Sequence, residues 1–356
     1  MAPVRIDDYR KLARERLPAG IADYIDGGAG DEITVRANRR DLAAIRLLPL
    51  ALRDVSTPDL SVGLLGRSFP VPLGFGPTAF HRMVHDEGEV ATARAARAAG
   101  VPMAVSAMSS IALEEIAERS GHGDLWLQTY IFRDRALTER LVRRAEEAGY
   151  RCVLVTLGCP VPGKRDRNIT NRFVLPPGVT AANFGRSAVV VHNNPVHSVA
   201  GAALDPSVTW RDLEWLRGRT GLPVLLKGVL NPLDVAPALD LGVAGIVVSN
   251  HGGRQLDTTM STIAILPEIA AAVAGRVPVL VDSGFRRGTD VLKAIMLGAD
   301  AVLLGRPVLW ALAAGGEQGV ADAADLLVEE LRVALQTCGL AGLADARRNA
   351  AAVIRR

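Results

Sequence analysis

From about residue 72 onward the chain repeats one pattern. A short apolar run bounded by glycine or proline is followed by a stretch in which Ala, Leu and Val recur at helical spacing. The runs are PLGFGP (Pro72–Pro77), PMAVSA (Pro102–Ala107), LWLQTYIF (Leu125–Phe132), CVLVTL (Cys152–Leu157), PVLLKG (Pro223–Gly228), GIVVSN (Gly245–Asn250), VPVLVDSG (Val277–Gly284) and AVLLGR (Ala301–Arg306). They are apolar throughout and do not alternate, as expected of strands covered on both faces. Between most of them lies an amphipathic helix candidate, such as GEVATARAARAAG (Gly88–Gly100) or ALTERLVRRAEEAG (Ala136–Gly149). Eight such units predict an α/β fold of the TIM (β/α)8 barrel type. A doubly wound sheet would open with a G-x-G-x-x-G turn after its first strand, and GFGPTAF does not continue into one.

The flanks complete a single domain spanning 1–356. Residues 1–70 carry two helix candidates and a connection, expected to pack across the base and rim of a barrel core at 71–310. Residues 311–356 hold terminal helices, read from DAADLLVEELRVALQTCGL and LADARRNAAAVIRR. The stretch Lys164–Ser207 after the fourth strand is long and holds several Asn, Gly and Pro residues, the composition of a lid or a disordered loop.

Composition narrows the class. Hydrophobic residues make up 49% and aromatic ones only 4%, so the core is aliphatic. A formal net charge of +3 with both signs interspersed gives no electrostatic reason for a nucleic-acid or anionic-membrane partner. No apolar run approaches the length of a membrane span, and the charged N-terminus lacks a signal peptide's apolar stretch. Cys152, Cys159 and Cys338 are an odd count without metal-ligand spacing, which suggests a reducing, cytoplasmic setting. His81 and His85 have i, i+4 spacing but no recognisable third ligand, so no metal is expected. His192 and His197 are expected on the surface of the lid, and Cys159 as an ordinary small side chain near the site.

In this fold the active site forms at the C-terminal ends of the strands. Those ends deliver Thr78 and Ala79, Ser106, Gln128 with Tyr130, Thr156, Lys227, Ser249 through His251, Asp282 through Gly284, and Gly305 with Arg306. DSGFRRGTD and LLGRP place Gly284, Arg286, Gly305 and Arg306 on the loops after strands seven and eight. There, backbone N–H groups, a helix N-terminus and guanidinium groups favour a phosphate. Lys227 is a lone cation ending an apolar strand; buried without an anion it would be costly, and it suits a cofactor that becomes anionic, such as a reduced flavin.

SNHGGRQLD (Ser249–Asp257), Lys227, the D-x-G-x-R-x-G-x-D run at Asp282–Asp290 and LGRP together resemble the FMN-dependent α-hydroxy-acid oxidase and dehydrogenase family. The similarity extends to LPAGIADYIDGGAGDE, to GPTAF with HDEGE, and to NRFVLPP. It implies FMN as cofactor, oxidation of an L-2-hydroxy acid to the 2-keto acid, reoxidation by O2 or another acceptor, and a homotetramer. His251 would be the base. Arg254 and Arg165 would pair with the substrate carboxylate, and Tyr24 and Tyr130 would hydrogen-bond the substrate, Tyr130 also serving catalysis. Thr78, Ala79, Ser106, Gln128, Thr156, Lys227 and Ser249 would line the isoalloxazine and ribityl chain. Asp282, Gly284, Arg286, Gly305 and Arg306 would hold its ribityl and phosphate end.

Two positions depart from the family pattern. TLGCP puts Gly158 where an Asp partner of the histidine is expected, and Ser283 replaces a glycine. Gly158 keeps open an alternative, a redirected tailoring oxidase acting on an unusual hydroxy acid or amine. An FMN-dependent isomerase on the same barrel is a second, although it would not need SNHGGRQ, and a non-catalytic flavin-binding protein is a third. Met108, Phe80, Val161 and the lid are expected to set substrate size, and the lack of a bulky ring at Met108 suggests a side chain larger than glycolate's.

Overall fold

The protein is described here from a computed structural model covering residues 2–187 and 204–355. Eight parallel strands close into a barrel: β1 (Leu73–Phe75), β2 (Met103–Ser106), β3 (Leu125–Thr129), β4 (Cys152–Thr156), β5 (Val224–Val229), β6 (Gly245–Val248), β7 (Val279–Val281) and β8 (Ala301–Leu304). Each lies within one of the apolar runs except β5, which runs one residue past the end of its own. Closure is made by β8 against β1, with Val302 opposite Leu73 and Leu304 opposite Phe75.

Successive residues still point to opposite faces, although both faces are apolar. Ala104, Trp126, Cys152, Leu154, Leu225, Val247, Leu280, Ala301 and Leu303 fill the barrel. Their neighbours Val105, Leu127, Val153, Val155, Leu226, Ile246, Val248, Val281 and Val302 pack outward against the helices.

The N-terminal region is richer than expected. It has three helices, Ile6–Arg16, Ala19–Asp26 and Ile33–Ala44, and an antiparallel hairpin, Val62–Leu64 with Arg67–Phe69. The second helix has only 8 residues, too short for periodicity to separate it from the first. Val62, Leu64 and Phe69 of the hairpin join the interior cluster, and Arg67 pairs at 2.8 Å with Asp124, just before β3. The hairpin therefore plugs the N-terminal end of the barrel.

At the other flank, a helix begins at Arg306, directly after β8, and runs to Thr337 with a break at Gly315 and Gly316. The helix Ile6–Arg16 packs along it. Within the segment after β4, a short helix covers Asp166–Thr170, and Leu204 bridges Phe132. His192 and His197 lie outside the described residues. No helix among the described residues is long and apolar enough to cross a membrane.

Candidate active site

A cleft of about 1290 Å³, including its open mouth, sits over the C-terminal ends of the strands. It brings together Tyr24, Thr78, Ala79, Ser106, Gln128, Tyr130, Thr156, Arg165, Lys227, His251, Arg254, Asp282, Gly284, Arg286, Gly305 and Arg306. Of the catalytic, substrate-binding and cofactor-binding residues expected from the sequence, Ser249 alone does not line it. Its hydroxyl stands behind, accepting from Lys227 Nζ at 2.7 Å and from the His251 backbone N–H at 3.1 Å. Gln128 Nε2 donates to Thr156 Oγ1 at 2.9 Å, tying β3 to β4 at the floor.

Lys227 is not a lone cation. Its Nζ lies 2.8 Å from Asp282 Oδ2, an ion pair that spans from β5 to the end of β7 across the intervening strand. The pairing is between strands far apart in sequence, so the sequence of β5 carries no sign of it. Ser283, next to that aspartate, has a φ of +78°, the left-handed region where a glycine is at ease. The strain of a side chain there is about 1 kcal/mol. Against it, the hydroxyl donates to Asp282 Oδ1 at 2.7 Å and accepts from the Gly252 N–H at 3.0 Å, linking the ion pair to the histidine turn.

That turn, His251–Gly253, follows β6 with φ values of +55°, +66° and +73°. Its glycines admit other protein backbone. A Cβ on Gly253 would lie 2.9 Å from Val35 N, one on Gly28 would lie 2.8 Å from Gly253 O, and the Ala29 N–H donates to Gly253 O at 2.8 Å. The glycines of the turn thus serve a close pass to the N-terminal segment. Asn250 locks the arrangement by exchanging amide hydrogen bonds with Asn38 at 3.0 and 2.7 Å. Residues 24–38, far away in sequence, become a wall of the site.

Five cationic side chains converge here. Arg254 Nη1 donates to the carbonyls of Tyr24 at 2.7 Å and Gly27 at 2.8 Å, and its guanidinium lies 5.0 Å from the Tyr24 ring centroid. That ring stacks on Phe173 at 4.5 Å. Arg165, expected to pair with a substrate carboxylate, is buried, and its Nε donates to Arg254 O at 3.3 Å. Burial pushes the Tyr130 phenol far above its ordinary range, so it stays a donor. Burial, then the positive charges of Lys227, Arg165, Arg254 and Arg306, hold His251 well below its ordinary pKa, so the imidazole is neutral and free to accept a proton.

Arg306 opens the long C-terminal helix, with Nε donating to Ile25 O and Nη2 to Gly27 O, both at 2.9 Å. Arg286 donates from Nη1 to Phe285 O at 2.6 Å and lies 4.5 Å over Trp310. Burial, with their mutual repulsion, lowers Arg286 to about 9; burial is also what lowers Arg306, to about 10. Among the described residues neither has a carboxylate in ion-pair range. Two guanidiniums beside a helix N-terminus, that of Arg286 buried and that of Arg306 half-buried, lack an anion, and a cofactor phosphate supplies one. The residues present therefore fit the FMN that the resemblance implies.

Several sequence readings change. Val161 is exposed and does not line the cleft; Pro162 takes that place, with Phe80 and Met108 as expected and Leu204, Gln255 and Ile25 in addition. His81 is buried and uses both ring nitrogens on hydroxyls, Nε2 with Thr78 at 2.6 Å and Nδ1 with Thr92 at 3.0 Å. Cys159, expected as an ordinary small side chain near the site, is part of it. It lines the cleft with Sγ 3.3 Å from His251 Nδ1, and burial raises its thiol to about 11. Its only signal was its place next to Gly158.

A model of the FMN-dependent dehydrogenase family matches residues 13–353. An L-lactate oxidase from Nostoc sp. (strain PCC 7120) is 45% identical over 97% of this chain and 96% of its own. A 4-hydroxymandelate oxidase from Amycolatopsis orientalis is 45% identical over 98% of each. The crystal structure of a mandelate oxidase with (S)-4-hydroxymandelic acid superposes with a TM-score of 0.92 at 45% identity, covering 97% of this chain and 98% of that one.

Proposed function

The chain belongs to the family of FMN-dependent dehydrogenases that oxidise 2-hydroxy acids, and from that premise we propose its own substrate class and the work of its residues. It oxidises an L-2-hydroxy acid with a side chain larger than glycolate's to the 2-keto acid. One observation carries the reading. A neutral, half-buried histidine, the half-buried Arg254, the buried Arg165 and two tyrosines share one cleft with the anion-seeking pair Arg286 and Arg306. The relatives with lactate and 4-hydroxymandelate in their names support both the reaction and the size range.

The substrate carboxylate is taken by Arg254 and Arg165, because a carboxylate matches the guanidinium fork. Arg254 Nη1 is committed to backbone carbonyls, which fixes the fork and leaves its other N–H groups for the ligand. Tyr24, held by Phe173, and Tyr130, kept protonated by burial, hydrogen-bond the substrate. As the hydroxy acid loses two electrons and two protons, His251 accepts one proton at Nε2, the nitrogen not facing Cys159. FMN, when bound, would take up the two electrons and the second proton at its isoalloxazine ring and pass the electrons to an acceptor. Arg286, Arg306, Gly305 and Gly284 hold its phosphate end, and Gln128, Thr156, Lys227, Thr78, Ala79 and Ser106 line the ring and ribityl chain, with Ser249 and Asp282 steadying Lys227. The acceptor is O2, as the relatives called oxidases suggest. The setting is a cytoplasmic homotetramer, in keeping with three buried free cysteines and with the family.

Anaerobic mixing of the FMN-loaded protein with lactate, glycolate, mandelate and longer 2-hydroxy acids tests this. Bleaching of the flavin by a member larger than glycolate, followed by peroxide release on admitting air, is the expected result. A yellow flavin that no member reduces would sink the reading.

A further inference from the structure

Position 158 has no side chain, and a Cβ built there would meet only Gly228, at 3.6 Å. No carboxylate from that point reaches the histidine. One residue on, the buried Cys159 sets its sulfur 3.3 Å from His251 Nδ1. The other charged or titratable groups around the imidazole are Lys227 from β5, Arg165 from the segment after β4, Arg254 from its own turn and Arg306 from the C-terminal helix. Tyr24 and Tyr130 share the cleft, and Asp282, the one acid lining it among the described residues, is taken up by Lys227 at 2.8 Å.

We propose that Cys159 is the positioning residue of the base: its sulfur accepts the Nδ1–H of His251 and holds the imidazole in the tautomer that leaves Nε2 free. This rests on the reading of His251 as the base. The reverse arrangement, with S–H donating to Nδ1, would put the ring proton on Nε2 and block that nitrogen. A thiol sulfur accepts only weakly, so it orients the ring yet adds little charge stabilisation. Burial keeps the thiol protonated, which separates this pair from a carboxylate–imidazole pair, in which the anion also stabilises the imidazolium. Cys159 thus takes the orienting half of the missing aspartate's work and leaves out the electrostatic half.

The test uses the FMN-loaded enzyme, with 15N NMR of the imidazoles for tautomer and pKa, and anaerobic single-turnover flavin reduction across pH. The His251 signals are identified by their loss in His251→Gln. In the wild type, Nδ1 should carry the proton at neutral pH. Cys159→Ala should mix the tautomers and slow flavin reduction about three- to tenfold, as for loss of one uncharged hydrogen bond. Cys159→Ser, a conservative acceptor, should restore most of both. Cys159→Asp should raise the His251 pKa and the acid limb of the pH profile by about one to three units. A wild-type His251 protonated on Nε2 overturns the proposal even if every variant misfolds, and so does a Cys159→Ala enzyme with wild-type tautomer and pH profile. Flavin reduction at the wild-type rate in His251→Gln would overturn the base reading itself, which the Cys159 variants do not address.

Discussion

Replacing Lys227 with Met tests whether the ion pair beneath the cleft is part of the resting structure. Lys227 and Asp282 have side-chain exposures of 5% and 13% and stand 2.8 Å apart. Removing one partner of a buried pair typically costs about 3–5 kcal/mol, because the other charge is left uncompensated. Asp282 has an escape, since it can take up a proton. From an ordinary carboxylate pKa, protonation at pH 7 costs about 4 kcal/mol, which caps the electrostatic penalty. Ser249 also loses a donor at 2.7 Å, worth about 1 kcal/mol. Urea unfolding of the apoprotein should therefore show the variant about 3–5 kcal/mol less stable at pH 7.5. The deficit should shrink as pH falls towards 5. The orphaned carboxylate has a raised folded-state pKa, so its penalty is greatest at high pH and fades as it protonates. Lys227→Met with Asp282→Asn should recover most of the loss. A deficit under about 1 kcal/mol, one that does not change with pH, or a double variant no better than the single would refute the pairing.

Arg286→Met should weaken FMN binding about ten- to hundredfold, the loss of one charge-assisted phosphate contact, read by flavin fluorescence titration; an unchanged affinity would exclude Arg286 from the phosphate site. Met108→Trp should lower kcat/KM for an aromatic 2-hydroxy acid by about ten- to two-hundredfold while sparing glycolate, and equal loss on both would remove Met108 from the specificity wall. Burial raises the pKa of Asp26, but hydrogen bonds from Arg10, Arg14 and Trp310 outweigh it and hold the folded-state value below the ordinary one. Wild type should therefore exceed Asp26→Asn by about 1–2 kcal/mol at pH 7, the arginines being half exposed. That advantage should be complete above pH 4 and disappear as pH falls below it; a difference that persists at pH 2.5 would contradict the sign.

The barrel was legible because a strand buried on both faces must be apolar at every position. Eight such runs, without the glycine-rich turn that opens a doubly wound sheet, pointed to the closed barrel. The motif residues were legible too, since strand ends in this fold share one rim. His251, Arg254, Lys227, Arg286 and Arg306 meet there although up to 79 positions separate them in the chain. Periodicity could not show which residues of an all-apolar strand face inward. It also could not show that a hairpin at 62–69 plugs the base, because three apolar side chains on two short strands look like any turn.

Partnership was left to tertiary structure. Sequence spacing could not say that Asp282 neutralises Lys227, that Asn38 clasps Asn250, or that Gly253 is small for the sake of Val35 and Gly28 for the sake of Gly253. Nor could it say that the sulfur of Cys159, and no carboxylate, stands against His251. Local sequence determines what a strand or turn can be, because backbone sterics and burial act within a few residues. The partner of a buried polar atom depends on which distant segments the closed barrel brings within hydrogen-bond reach, and that distance exists only once the chain has folded.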